Sequence, residues 1–208
     1  MSKLQKLLSI SSKALSSLPG GEARLTACPS QLKALLSMRN GFFAFESSLV
    51  VFPTIDCMGV PGILEWNDLE GWRVFFRDVL ASDDLCFAHD LFGIQFVITN
   101  SEVVKMNPET GDVKRYAESI EGWAERLLDN YEEDTAWVLA HEWQIKNGML
   151  PPHMRLMPKI PFVLGGEFEV ENLVAVECHQ AMRYWGQLYN NIRSISDGEV
   201  IRLDYWIA

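Results

Sequence analysis

Between Cys86 and Thr99 the chain reads as one strand-like phrase, and from Phe92 onward it alternates. Phe92, Ile94, Phe96 and Ile98 take one side, and Gly93, Gln95, Val97 and Thr99 the other. A period of two with one strongly apolar side predicts a strand half-buried in a sheet. Two turn signals follow closely: Asn100-Ser101, then Asn107 to Gly111 with its glycine late in the turn. They predict a three-stranded meander ending near Tyr116, which confines the chain to folds built on antiparallel pairs.

The flanking segments supply helices. Leu4, Leu7, Leu8, Ala14, Leu15 and Leu18 keep one apolar stripe, so a docking helix or arm over residues 1–20 is expected, ended by Pro19-Gly20-Gly21. Ser30 is placed to cap a helix carrying Leu32, Leu35 and Leu36, with Asn40-Gly41 at its end, and Phe42 to Phe45 and Leu49 to Pro53 read as a short strand pair. Asn67 with Glu70 resembles a capping box for a helix bearing Leu69, Trp72, Phe76 and Val79, ended by Asp83-Asp84. Ile120, Trp123, Leu127 and Leu128 mark a further helix, and Asp134 is placed to cap the next, with Ala136, Leu139, Ala140 and Trp143. Leu150 to Pro161 carries four prolines and reads as a loop. Phe168 to Val176 reads as strand interrupted at Glu171-Asn172. Ala181, Trp185, Leu188 and Ile192 form the cleanest amphipathic helix, and Asp197-Gly198 leads to a last strand with Ile201, Leu203 and Tyr205. Such mixed runs predict an α+β fold with a central mixed, mostly antiparallel sheet of about five to seven strands packed by helices.

Bulk properties narrow the function. At 208 residues and 48% hydrophobic, the chain can build one substantial core, and a single domain over 1–208 is expected. Its formal charge of −10, from 28 acidic against 18 basic residues, repels phosphate backbones and anionic lipid, which argues against nucleic acid and membrane partners and favours a basic protein partner. Cys28, Cys57, Cys86 and Cys178 are widely spaced with no Cys-x-x-Cys, so no disulfide framework is expected and a reducing cytoplasm fits. No run of about 18 apolar residues exists to span a bilayer.

Motifs with a mechanism behind them are missing. There is no Gly-x-Gly-x-x-Gly, Walker-type loop or Gly-x-Ser-x-Gly, so no cofactor is expected. His141-Glu142 begins like a zincin helix, but Ile145 stands where the second imidazole belongs, so no metal is expected there. His89 beside Asp90 suggests an oriented base, yet no nucleophile is tied to it and adjacent strand residues point to opposite faces. Cys178-His179 meets a similar objection, because a helix start sets consecutive side chains about 100° apart. Gly165-Gly166 reads as tight packing or a bulge rather than a phosphate cradle. Acidic residues gather at Asp129, Glu132, Glu133 and Asp134, and alternate at Glu167, Glu169 and Glu171. Trp72, Trp123 and Trp185 fall at core spacings, which leaves Trp66, Trp137, Trp143 and Trp206 as candidate exposed anchors.

With these pieces in view, the chain resembles the SUKH superfamily, the group that includes a yeast cell-wall-synthesis regulator and many bacterial toxin-immunity proteins. The resemblance rests on Phe87, Asp90, Phe92, Gly93, Gln95 and Phe96 in the strand, Thr110 and Gly111 in the hairpin, and Trp123 in the next helix. Pro161 to Glu167 with its Gly165-Gly166 pair, Asn172-Leu173 and Asp197-Gly198 look like the carboxy-terminal extension of one bacterial branch, here residues 150–206. The resemblance implies an α+β sheet packed by helices, no catalytic residues, and a role in binding another protein, often a toxin neutralised in the cell that makes it. The leading expectation is therefore a non-enzymatic cytoplasmic binding module, an immunity protein acting as a monomer or weak homodimer on a basic toxin domain. Asp83, Asp84, Glu132, Glu133 and Asp134 are its expected contact residues. A housekeeping scaffold of the same fold is one rival. The other is a hydrolase or metal-dependent enzyme using His89, Asp90 or Cys178, which requires those side chains within about 4 Å of one another beside a pocket.

Overall fold

The computed structural model describes residues 1–17, 22–26, 28–100, 102–194. The meander extends into a six-stranded sheet in which every pairing is antiparallel and strand order follows chain order: β1 (Phe42–Ala44), β2 (Leu49–Val51), β3 (Leu85–His89), β4 (Gln95–Thr99), β5 (Glu102–Met106) and β6 (Val113–Ala117). A separate two-stranded sheet pairs β7 (Met154–Pro158) with β8 (Leu173–Glu177). Around them stand α1 (Lys3–Ile10), α2 (Glu22–Leu25), α3 (Ser30–Met38), α4 (Ile63–Trp66), α5 (Ile120–Asp134), α6 (Trp137–Asn147) and α7 (Cys178–Ser194), with a 3-10 turn at Trp72–Phe76. The fold is α+β, as the pattern of elements predicts.

The phrase Cys86–Thr99 is not one strand but two, folded back on each other, with Ala88 opposite Phe96 and His89 opposite Gln95. Nor does β4 have a single apolar face. Phe96 meets Trp123 of α5 at 5.8 Å, while neighbouring Gln95 accepts the Trp66 indole N–H at 2.8 Å and reaches Met182 of α7. Helices therefore cover both faces, and burial reaches the polar Gln95, which is satisfied by side-chain and backbone partners, including Gly93 O at 2.7 Å.

Several local signals were overridden by longer-range partners. The amino-terminal helix stops at Ser11 rather than running on to Leu15, because Ser12 N–H donates to Phe43 O and Leu15 N–H to Gly41 O, tying the segment to β1 as extended chain. Ser30 is the first residue of α3 rather than its cap. Asn67 caps no helix start. It follows α4, donates to Cys86 O and accepts from Cys86 N, fastening the loop to β3, and the predicted helix beyond it shrinks to the 3-10 turn. Asp134 ends α5 instead of beginning α6, whose first turn follows Ala136 in a left-handed conformation. The proline-rich segment contains β7. Trp66 is 1% exposed, against the expectation of a surface anchor, while Trp137 and Trp143 are half-buried. Leu18 to Gly21, and the expected last strand with Gly198 and Trp206, lie outside the described residues.

Candidate functional site

Most of the segments that carry the sequence motifs converge around Phe92, while Trp123 packs instead on Phe87 and Phe96. Asp90 Oδ1 accepts the N–H groups of Phe92 (2.9 Å) and Ile94 (2.8 Å), closing the turn between β3 and β4, and Gly93 takes φ +83° there. A Cβ on Gly93 would stand 3.2 Å from Met182 Sδ, so its glycine permits both the turn and the approach of α7. Trp185 of α7 donates its indole N–H to Phe92 O at 2.9 Å. The hairpin after β5 enters through Glu109, buried, which accepts Val163 N–H at 2.9 Å and so clamps the 160–168 segment to the hairpin. Asn172 holds the other end of that segment, donating to Ile160 O and Glu167 O at 3.0 Å each and accepting from Ile160 N at 2.9 Å.

These elements enclose an apolar cleft of about 90 Å³ lined by Phe92, Ile94, Pro108, Phe162, Phe168 and Trp185. At its mouth Phe168 stacks on Phe162 at 3.9 Å and is 64% exposed. Ile160, Val163 and Leu164 are exposed on the same segment, and Glu167 and Glu169 flank Phe168 in solvent. Exposed apolar side chains thus lie together on one segment rimmed by charge, a composition found on protein-binding surfaces in general. Reading the sequence alone missed Phe168. The available signal was an aromatic flanked by glutamates beside a glycine pair.

The five acidic residues expected to make contact are not equivalent. Asp83, Glu132 and Glu133 are exposed. Asp84 is half-buried and accepts Ala81 N–H at 2.8 Å, and burial pushes its carboxyl above the usual value. Asp134 is engaged internally, with Lys105 at 2.9 Å and Tyr116 Oη at 2.6 Å. Glu133 and Asp134 also border a groove lined by Lys105, Lys114, Arg115 and Arg126, so the acidity of that region is locally offset. His141 pairs with Glu46 at 2.8 Å on the surface.

Behind the cleft lies a polar knot. His89 and Asp90 are each 2% exposed. His89 Nδ1 faces Asp90 O at 2.9 Å, its Nε2 stands 3.5 Å from Arg155 Nε, and its ring stacks on Trp66 at 5.5 Å. Burial, then the Arg155 charge, hold its imidazole well below the usual value. Burial pushes the Asp90 carboxyl up to about 6 and pulls Arg155 down to about 10. Because the Asp90 carboxylate turns into its own loop, the two side chains do not form the acid–base pair their adjacency suggested. The far side of Trp66 meets the edge of the His179 ring at 5.0 Å.

At the junction of β8 and α7, Glu177, Cys178 and His179 bring a carboxylate oxygen, a sulfur and an imidazole nitrogen within 4.8 Å of one another. The angular offset between Cys178 and His179 does not keep them apart, for Cys178 Sγ and His179 Nδ1 stand 3.8 Å from each other. Burial, reinforced by Glu177, raises the Cys178 thiol to about 12. Burial also pulls the Glu177 carboxyl upward, but hydrogen bonds from His179, from the Gln180 and His179 backbone and from Cys178 outweigh it and leave the group at about 2. All four cysteines are free thiols.

No family model and no curated protein matches the sequence. Among solved structures the chain is similar to the crystal structure of Atu4351 from Agrobacterium tumefaciens, with a TM-score of 0.54 and 11% identity over 84% of this chain and 82% of that one. A likeness at that identity is one of fold. Among the described residues no helix is long and apolar enough to cross a membrane.

Proposed function

We propose that this chain is a protein-binding module of the SUKH type, an immunity protein that occupies a basic toxin domain in the cytoplasm of the cell producing it. The observation that carries the reading is the apolar cleft. The stretches around Phe92, Gly111 and Gly165 that support the family resemblance line it or brace it, and it opens beside an exposed aromatic. Phe168 supplies the apolar anchor, the cleft receives a partner side chain, and Glu167 and Glu169 complement basic groups around it. The net charge of −10 adds long-range attraction for such a partner. Contact thus centres on the 160–169 segment, with Asp83, Glu132 and Glu133 as steering charges.

The test is titration of the purified chain with the basic toxin domain encoded beside its gene. A dissociation constant of nanomolar order is expected, and one weaker than about micromolar counts against the reading. Phe168→Ala should weaken binding more than about tenfold through faster dissociation, as central anchors do. Reversing Glu167 and Glu169 to lysine should slow association at low salt. Unchanged affinity in both variants would remove the cleft as the binding surface.

A further inference from the structure

Glu177 Oε1, Cys178 Sγ and His179 Nδ1 form a small triangle. Its edges are 3.3 Å from sulfur to oxygen, 3.8 Å from sulfur to nitrogen and 3.2 Å from nitrogen to oxygen. With bonds of about 2.3 Å to sulfur, about 2.0–2.1 Å to nitrogen and about 2.0–2.2 Å to oxygen, donors on a tetrahedral zinc ion stand about 3.3–3.6 Å apart. We infer that the β8–α7 junction is a divalent transition-metal site, built for Zn²⁺ with Glu177, Cys178 and His179 as its three protein ligands and one position open to solvent.

The surroundings are arranged for capture. Glu177 Oε2 accepts Gln180 N–H at 2.9 Å, which turns Oε1 toward the other two donors. His179 packs against the Trp66 ring and keeps its side chain 42% exposed, Glu177 is 39% exposed, and the sulfur sits behind them. Two clefts border the triangle. One is lined by Glu177, His179, Gln180 and Gln187, and the other by Asp56, Glu65 and His179. Gln187 and Glu65, one on each cleft, carry a buried side-chain oxygen, Oε1 and Oε2 respectively, with no hydrogen-bond partner.

The donor set selects the metal. One thiolate, one imidazole and one carboxylate suit a borderline-soft tetrahedral ion and disfavour Mg²⁺ and Ca²⁺, which take oxygen ligands. Binding displaces the thiol proton to solvent, the imidazole keeps its hydrogen on Nε2, and the two anionic ligands neutralise the dication. The same reading explains why a thiol and an imidazole are crowded around a single carboxylate oxygen.

Tag-free full-length protein, stripped by chelator and titrated with Zn²⁺ by calorimetry, should bind one ion with release of about one proton. Titration with Co²⁺ alone should produce the thiolate-to-cobalt charge-transfer band and the visible bands of tetrahedral cobalt. Cys178→Ser should abolish the charge-transfer band, and His179→Gln should weaken Zn²⁺ binding at least about tenfold, with the metal-free melting curve of each variant showing that it folds. Cys57→Ser, at the half-buried thiol elsewhere, should bind as the parent does. Absence of the charge-transfer band in the parent, or equal Zn²⁺ affinity in parent and His179→Gln, overturns the assignment.

Discussion

Replacing Asp90 with asparagine should change how stability depends on pH, by an amount the turn geometry sets. The asparagine Oδ1 can keep both backbone N–H bonds from Phe92 and Ile94, so the turn survives while the titrating carboxyl is removed. In the folded parent that carboxyl keeps its proton up to a pH of about 6, because burial outweighs the Lys105 and Arg155 charges and the two amides. Unfolded, it releases the proton near the ordinary aspartate value of about 3.9. Between those values the native state binds more protons than the unfolded state, so stability falls as pH rises. The contribution is fully present below about pH 4 and lost by the time pH has passed 6. Two units at 1.36 kcal/mol each amount to about 3 kcal/mol, and at 2% exposure no solvent screening reduces the figure. His89, depressed in the folded state, acts in the opposite direction below about pH 6.5, but it does so in both proteins and cancels in the difference. Urea unfolding at intervals from about pH 4 to 7 measures that difference directly. The parent should lose about 3 kcal/mol relative to Asp90→Asn over the range. A difference constant within about 0.5 kcal/mol, or one that favours the parent as pH rises, refutes the claim that desolvation dominates at this turn.

Trp185→Phe removes the indole donor from the buried Phe92 carbonyl. The orphaned oxygen should cost about 1–3 kcal/mol in urea unfolding, and a loss under about 0.5 kcal/mol would show the bond to be dispensable. Gly166→Ala places a Cβ against the Ile160 carbonyl oxygen, a backbone atom that cannot swing aside, and crowds Asn172 Nδ2. It should shift the 160–169 segment and cost more than about tenfold in toxin affinity with only a modest fall in melting temperature; retained affinity would mean the segment's rigidity is irrelevant to binding.

What could be read from the chain and what could not divide along the range of the interactions involved. The meander from β4 to β6 was legible because its turns are made by their own residues, with Gly111 at φ +74° where the hairpin requires it. Helix α7 was legible because Ala181, Trp185 and Leu188 lie on one buried side at its period. β7 was hidden because its ladder partner, β8, follows only after a loop and its own sequence carries the proline signals of a turn. Asn67 and Asp134 were misread for a related reason: each has the side chain of a cap, and each is bound instead to a residue far along the chain, Cys86 in one case, Lys105 and Tyr116 in the other. The polar knot was legible only as isolated letters. Nothing in the order of residues indicates that Arg155 comes to rest beside His89.

The sheet's strand order carries a consequence for biosynthesis. Since each of the six strands bonds to its neighbour in the chain, the sheet can grow strand by strand as the polypeptide leaves the ribosome, with no strand waiting for a later one. The turn at Phe92 is completed late, because its carbonyl accepts from Trp185, 93 residues further on. At synthesis rates of about 5–20 residues per second, that interval lasts roughly 5–20 s. During it a sheet already paired strand to strand stands with the Phe92 turn lacking its indole donor.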